Sequence, residues 1–317
     1  MRDPRYALEA VEFSIKPHIY KYFQRLNGNV LAIEICNSNL GFFANLNWCL
    51  YIINYCKKQD LIPYVEFTSK NYLNSSSGRD WFKSFFLNKA ILAAGNTINY
   101  SPRHITKIRN LENIKLPKWA CELTLADANC IYNEYISIDP AILFSVNNFV
   151  IKNFCDKNML GVHFRGTDKS IEAPRVDWGY LVRTIDNYLK DRPDIEGLFV
   201  ASDEVGFTEY ITERFPELKV ISHDDHVRSD GEVAIHSLNS GGDNYLKGVD
   251  ALVNSLLLSR CSALIRSSSF LSAWASVFNP GIPVILLNKP HKNGLWFPET
   301  ETIKLSQDQY LPSTSSS

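Results

Sequence analysis

The stretch from 159 to 170, "MLGVHFRGTDKS", decides the fold. A strand-like apolar run, Met159 to Phe164, carries His163 inside it and ends in Arg165, Asp168 and Lys169. Ionisable groups at the end of such a run are being delivered to a cleft, because burying them unpaired costs several kcal/mol each. Beyond it, Leu181, Ile185, Tyr188 and Leu189 share one face of a helix, and "GLFVAS" (197–202) returns as a continuous apolar strand ending in Ser202 and Asp203. The helix "GFTEYITERF", the strand "KVIS", a helix through "YLKGVDALVNSLLLSR", the strand "SALI", the helix "FLSAWASVF" stopped by "NPG" and the strand "IPVILL" complete the series. Buried strands alternating with helices predict a parallel, doubly wound α/β sheet, whose ligands sit at the carboxyl ends of the strands.

Upstream the same grammar starts again. "NVLAIEIC" (29–36) reads as a strand, "FFANLNWCLYIINYCKKQ" as a helix ending on Lys57 and Lys58, and "LIPYVEF" as the next strand. Between 69 and 145 the pattern is weaker: "RDWFKSFF" and "TLADANCIYNEYI" both read as helices. A chain of 317 residues, 45% hydrophobic and 21% charged, has the material for two cores of ordinary size.

The formal charge of -1 gives no electrostatic reason to expect nucleic acid or an anionic membrane as partner, so any basic site is local. Seven cysteines without a C-x-x-C pair suggest neither a disulfide framework nor a zinc site, and they read as reduced core residues. The N-terminus "MRDPRYALEAVEF" lacks the apolar segment of a signal peptide, and no window approaches a membrane span. The expectation is a cytoplasmic protein without a transmembrane segment, for which peripheral membrane contact stays open.

Several nucleotide-site chemistries are missing. There is no G-x-G-x-x-G. Gly161 and Gly166 have P-loop spacing, but Thr167 and Asp168 follow where Lys and Ser or Thr are required, and an acid there would repel phosphate. No D-x-D occurs to hold a diphosphate through a metal, so the expected site has no metal and no cofactor and relies on fixed cations and helix N-termini. Arg165 is the candidate cation: guanidinium grips two phosphate oxygens at once and keeps its charge. The competing reading pairs it with Asp168 or a surface acid. Ser267, Ser268 and Ser269 precede a helix and suit phosphate oxygens, although an ordinary N-cap would need only one of them. Asp250 and Asn254, four apart on a helix, suit a base or ribose, or else form a solvated stripe. In "HDDHVRSDGEVAIH" the pair His223 and His226 has no distant third ligand for a metal, and His236 is assigned to the donor pocket.

These pieces, in this order, resemble the fucosyltransferase superfamily that includes the rhizobial nodulation fucosyltransferase, the core α1,6-fucosyltransferases and the protein O-fucosyltransferases. "GVHFRGTDK" resembles a family pattern GVHxRxTDK, and the likeness continues through "LFVASDE", "LKGVDALVNSLLLSRC" and "IRSSSFLSAWA". The first half offers only "NLGFFANLN", similar to the Gly-containing loop of the family's first domain, whence Gly41, Phe43 and Asn45 as donor contacts.

The resemblance implies a GT-B type enzyme: two Rossmann-like doubly wound domains facing across a cleft, inverting and metal-independent, with GDP-fucose as donor and a glycan or glycoconjugate hydroxyl as acceptor. The domains would be 1–150 on the acceptor side and 151–290 on the nucleotide-sugar side. A segment 291–317 would return to the first domain on Trp296 and Phe297 before a disordered tail, and a hinge would lie near 145–158. By the same resemblance Arg165 holds the β-phosphate, His163 lies beside the nucleotide, the serine run binds phosphate, and Lys169 with Glu172 deprotonates the acceptor. Asp168 and Asp203 are carried as donor-site acids. Gly166 stands where several members have a second arginine, which would open space for a different acceptor, and Asn254 stands where an acid is expected. The alternatives are a transferase using another nucleotide sugar, and a non-catalytic nucleotide- or glycan-binding protein on the same fold.

Overall fold

The computed structural model describes residues 30–35, 40–73, 78–89, 106–108, 116–166, 173–223, 244–289 and 308–312. The chain forms two compact units. One holds the described residues as far as Pro140 together with 244–248, and the other begins at Ala141 and holds the rest.

In the first unit the aliphatic run becomes β1 (Val30–Ile35), followed by α1 (Phe42–Lys58) and β2 (Ile62–Phe67). β3 (Phe86–Asn88), β4 (Thr106–Ile108), α2 (Lys118–Cys121), α3 (Leu125–Tyr135) and β5 (Ile136–Ile138) follow. β2, β1 and β4 form a parallel sheet in that order, and β3 pairs antiparallel with β5. α1 buries Leu46, Leu50 and Ile53 and ends on Lys57 and Lys58, where cations complement the negative helix end. α3 starts at a capping box between Thr124 and Asp127.

"RDWFKSFF" is not the helix its pattern predicts. Asp80 caps only a short 3-10 turn, Trp81–Ser84, and the chain then enters β3. The reason is tertiary: Trp81 stacks on Phe67 at 4.5 Å between ring centroids and on Phe42 at 5.3 Å, while Phe85 meets Phe42 edge-on at 5.0 Å. Rings that each bury a large apolar area outweigh the modest helix propensity of the segment.

The second unit contains α4 (Pro140–Asn153, its first residue at the boundary), β6 (Met159–Phe164), α5 (Trp178–Asp191), β7 (Gly197–Ser202) and α6 (Val205–Arg214). It continues with β8 (Lys219–Ser222), α7 (Asn244–Leu258), β9 (Ala263–Arg266), α8 (Phe270–Phe278) and β10 (Val284–Leu286). The five strands are parallel in the order β10-β9-β6-β7-β8. This is the predicted doubly wound sheet. Leu160, Val162 and Phe164 face α5 and α6 through Leu181, Ile185, Tyr188, Phe207 and Ile211, each fully or nearly fully buried. Burying one such side chain contributes about 1.5–3 kcal/mol, so this layer sets the register of β6.

Some expectations need correction. The 145–158 stretch expected to act as a hinge is mostly α4, and the unit boundary falls at 140/141. The first turn of α7 belongs to the first unit: Tyr245 stacks on Phe85 at 4.9 Å, and a side chain at Gly248 would collide with the Phe85 ring. Leu246, on the same turn, is exposed. The C-terminal segment was expected on the first domain, yet its described part, 308–312, packs on the second unit, where the Tyr310 ring meets Tyr188 edge-on at 5.1 Å. Its carbonyl accepts from Asn187 Nδ2 at 3.2 Å. Trp296 and Phe297 lie outside the described residues. No described helix is long and apolar enough to cross a membrane.

Candidate functional site

The strand order reverses direction between β6 and β9, so the chain leaves these two neighbours toward opposite edges of the sheet. At such a switch point the carboxyl ends open a crevice that takes ligands in α/β sheets. Both motifs singled out in the sequence end there, and they are bonded to each other. The Arg165 backbone N–H donates to Ser267 Oγ at 2.9 Å, and the Ser267 N–H donates to the His163 carbonyl at 3.0 Å.

The serine run does more than cap a helix. Ser267, Ser268 and Ser269 are each about 1% exposed. Ser268 is held from β10's end, its N–H donating to Asn288 Oδ1 at 2.7 Å and its hydroxyl to the Asn288 carbonyl at 2.9 Å. Asn288 Nδ2 in turn donates to the Pro174 carbonyl at 2.6 Å, tying the turn to the approach of α5. Ser269 occupies the N-cap position of α8 with extended backbone (φ -163, ψ 142), but its side chain makes no capping bond. The positive end of α8 therefore lies at the same turn as the serine run.

On the β7 side, Asp203 organises Arg165. Its Oδ2 lies 3.7 Å from Arg165 Nε, and its Oδ1 accepts from the Gly166 N–H at 3.2 Å. The guanidinium is therefore within ion-pairing reach of Asp203, while Asp168, the partner in the competing reading, lies outside the described residues. Glu204 follows, mostly buried, and its Oε1 lies 3.6 Å from Arg175 Nη2. Burial, and then the charge of Asp203, push the Glu204 carboxyl above the usual carboxylate range. Gly166 opens no free space for an acceptor: the Glu204 carboxylate fills it.

His163 is buried (4% exposed) within β6, on the face opposite the Leu160 layer. Asp250 and Asn254 are brought together, but onto each other: Asn254 Nδ2 donates to Asp250 Oδ1 at 2.8 Å, and the same oxygen lies 3.5 Å from His223 Nδ1. His223 follows the edge strand β8, so this trio occupies another part of the same sheet edge. Gly41, Phe43 and Asn45 belong to the first unit. Phe43 is core, packed edge-on against Phe42 at 5.2 Å, and Asn45 is buried with its amide bonded to the Gly41 carbonyl at 3.0 Å. Neither offers an open contact surface in this conformation. Asp168, Lys169, Glu172, His226 and His236 lie outside the described residues.

Sequence reasoning missed Glu204, Arg175, Asn288 and Arg266. Glu204 and Asn288 stand two residues past the ends of apolar strands, a signal close to the one that marked Arg165, so they were findable. Arg266 is the last residue of a buried strand, where an arginine has no packing rationale.

No family model matches the chain, and no curated protein matches it. Solved structures do. The NodZ α-1,6-fucosyltransferase soaked with GDP-fucose superposes with a TM-score of 0.52 at 14% identity, covering 81% of this chain and 95% of that one. The fucosyltransferase NodZ from Bradyrhizobium matches with the same TM-score, identity and coverage. The likeness places the chain in the GT-B type α/β fold class of these fucosyltransferases.

Proposed function

We propose that the protein is a glycosyltransferase that binds GDP-fucose at the carboxyl edge of the second unit's sheet and transfers the sugar to a hydroxyl of a glycan acceptor. The observation that carries this reading is the bond from the Arg165 N–H to Ser267 Oγ at 2.9 Å, which sets an arginine beside a helix N-terminus. An arginine and a helix N-terminus together suit a diphosphate that gains charge as it leaves. A NodZ α-1,6-fucosyltransferase of the same fold, soaked with GDP-fucose, supports the choice of donor.

In the proposed reaction the acceptor oxygen attacks the anomeric carbon from the face opposite the diphosphate. The new C–O bond forms as the bond to the β-phosphate oxygen breaks, and the acceptor proton passes to Glu172, assisted by Lys169. Arg165 turns from Asp203 toward the phosphate, and Asp203 keeps its hold on the Gly166 N–H. Departing charge is met by Arg165 and α8, without a metal. The configuration at the anomeric carbon inverts.

Thermal unfolding with GDP, UDP, ADP and GDP-fucose tests the reading. A ligand at about 100 times its Kd adds roughly 2.7 kcal/mol to the folded state. GDP and GDP-fucose should raise the midpoint of the wild type and not that of Arg165→Ala. Equal stabilisation by UDP, or none by any nucleotide, overturns the assignment of donor.

A further inference from the structure

Arg266 closes β9 and is wholly buried, at 0% exposure. Taking a guanidinium out of water is costly, and a methionine or leucine would fill the space without that cost. The register pairs Arg266 with His163 of β6, on the site side of the switch point. Its Nη1 donates to Ser272 Oγ at 3.4 Å. Ser272 is the third residue of α8, and its hydroxyl lies 3.3 Å from both the Ser267 and the Ser269 carbonyl. The guanidinium is therefore seated against the first turn of α8, a helix end that is itself positive. An anion held at the serine turn is attracted by both.

Resting on the reading of this edge as a diphosphate site, we infer that Arg266 is a positioning and specificity residue for it. Through Ser272 it holds the serine turn in place, and its buried charge raises the potential at the turn. The site thereby prefers a diphosphate to a monophosphate. Ser272, whose exposure is also nil, is the link between the buried charge and the turn.

The test is calorimetric binding of inorganic pyrophosphate, GDP and GMP to the full chain as wild type, Arg266→Met, Arg266→Lys and Ser272→Ala. Arg266→Met should weaken pyrophosphate and GDP by roughly ten- to a hundredfold, the loss expected of a hydrogen-bonded charge, and GMP by clearly less. Arg266→Lys should recover part of the GDP to GMP ratio, and Ser272→Ala should lower that ratio by a smaller factor. A wild-type ratio in Arg266→Met overturns the inference, since a residue that merely packs would weaken both ligands alike. If Arg266→Met does not fold, unchanged ratios in both remaining variants overturn it. If the wild type binds pyrophosphate but no nucleotide, the GDP-sugar reading falls, and the pyrophosphate affinities still decide the role of Arg266. If it binds none of the three, both fall.

Discussion

The carboxylate of Glu204 lies over Gly166 so closely that a Cβ at 166 would collide with it, with Phe164 Cε1 a further 2.9 Å neighbour. Glycine is required here for room and not for conformation, since the only glycine of positive φ among the described residues is Gly78. The obstacle is the end of a flexible side chain, so Gly166→Ala should fold, at the expense of turning Glu204 away from Arg175. We expect a loss of about 1 kcal/mol that vanishes in a Glu204→Ala background, a coupling measured by a double-mutant cycle of unfolding free energies. Additive losses would mean that Phe164, and not Glu204, sets the limit at this position.

Ser267 ties the serine run to the end of β6. Ser267→Ala leaves the Arg165 N–H without its acceptor at 2.9 Å. An orphaned, partly buried N–H costs about 1–3 kcal/mol, and the crevice between β6 and β9 loosens with it. Denaturant unfolding should show that loss, and GDP affinity should fall in the same variant. Unchanged affinity beside a lowered stability would make the bond a structural tie alone.

The sheet of the second unit was legible because each strand is a short apolar run closed by polar residues, and each helix between them shows one apolar face. "RDWFKSFF" misled because Trp81 and Phe85 are placed by rings distant in sequence, Phe42 and Phe67, which no local pattern displays. At the site, Arg165 and the serines could be read as separate phosphate-type signals. Their bond to one another could not, because it spans 102 positions and depends on β9 lying next to β6. The pairing of Asn254 with Asp250 shows the converse: helical spacing brought the two together as expected, and the structure uses the proximity for a mutual bond.

Tyr310 fastens the end of the chain to α5. Removing its ring should cost the second unit roughly 3 kcal/mol, within the range for deleting a buried aromatic. Hydrogen exchange on Tyr310→Ala should show faster exchange in α5 and unaltered protection in α1. Loss of protection in α1 instead would return the C-terminal segment to the first unit, against the Tyr188 and Asn187 contacts.

Asp80 holds the 3-10 turn to the end of β2, its Oδ1 accepting from the Phe67 N–H at 3.0 Å and the Phe82 N–H at 3.1 Å. Burial, partly opposed by these bonds and by Lys83 at 3.5 Å, pushes its carboxyl from 3.8 up to about 6. A raised acid pKa means that, between those two values, the folded chain binds more protons than the unfolded one, so stability falls as pH rises through that window. The full cost, on the order of 3 kcal/mol, is then present above pH 6. Asp80→Asn keeps an oxygen for both N–H groups and has no proton to lose. Its melting temperature, compared with the wild type from pH 4 to pH 7.5, should start level and climb above it by several degrees. A gap that stays flat, or opens in the other direction, would show that the Lys83 pairing outweighs burial at this carboxylate.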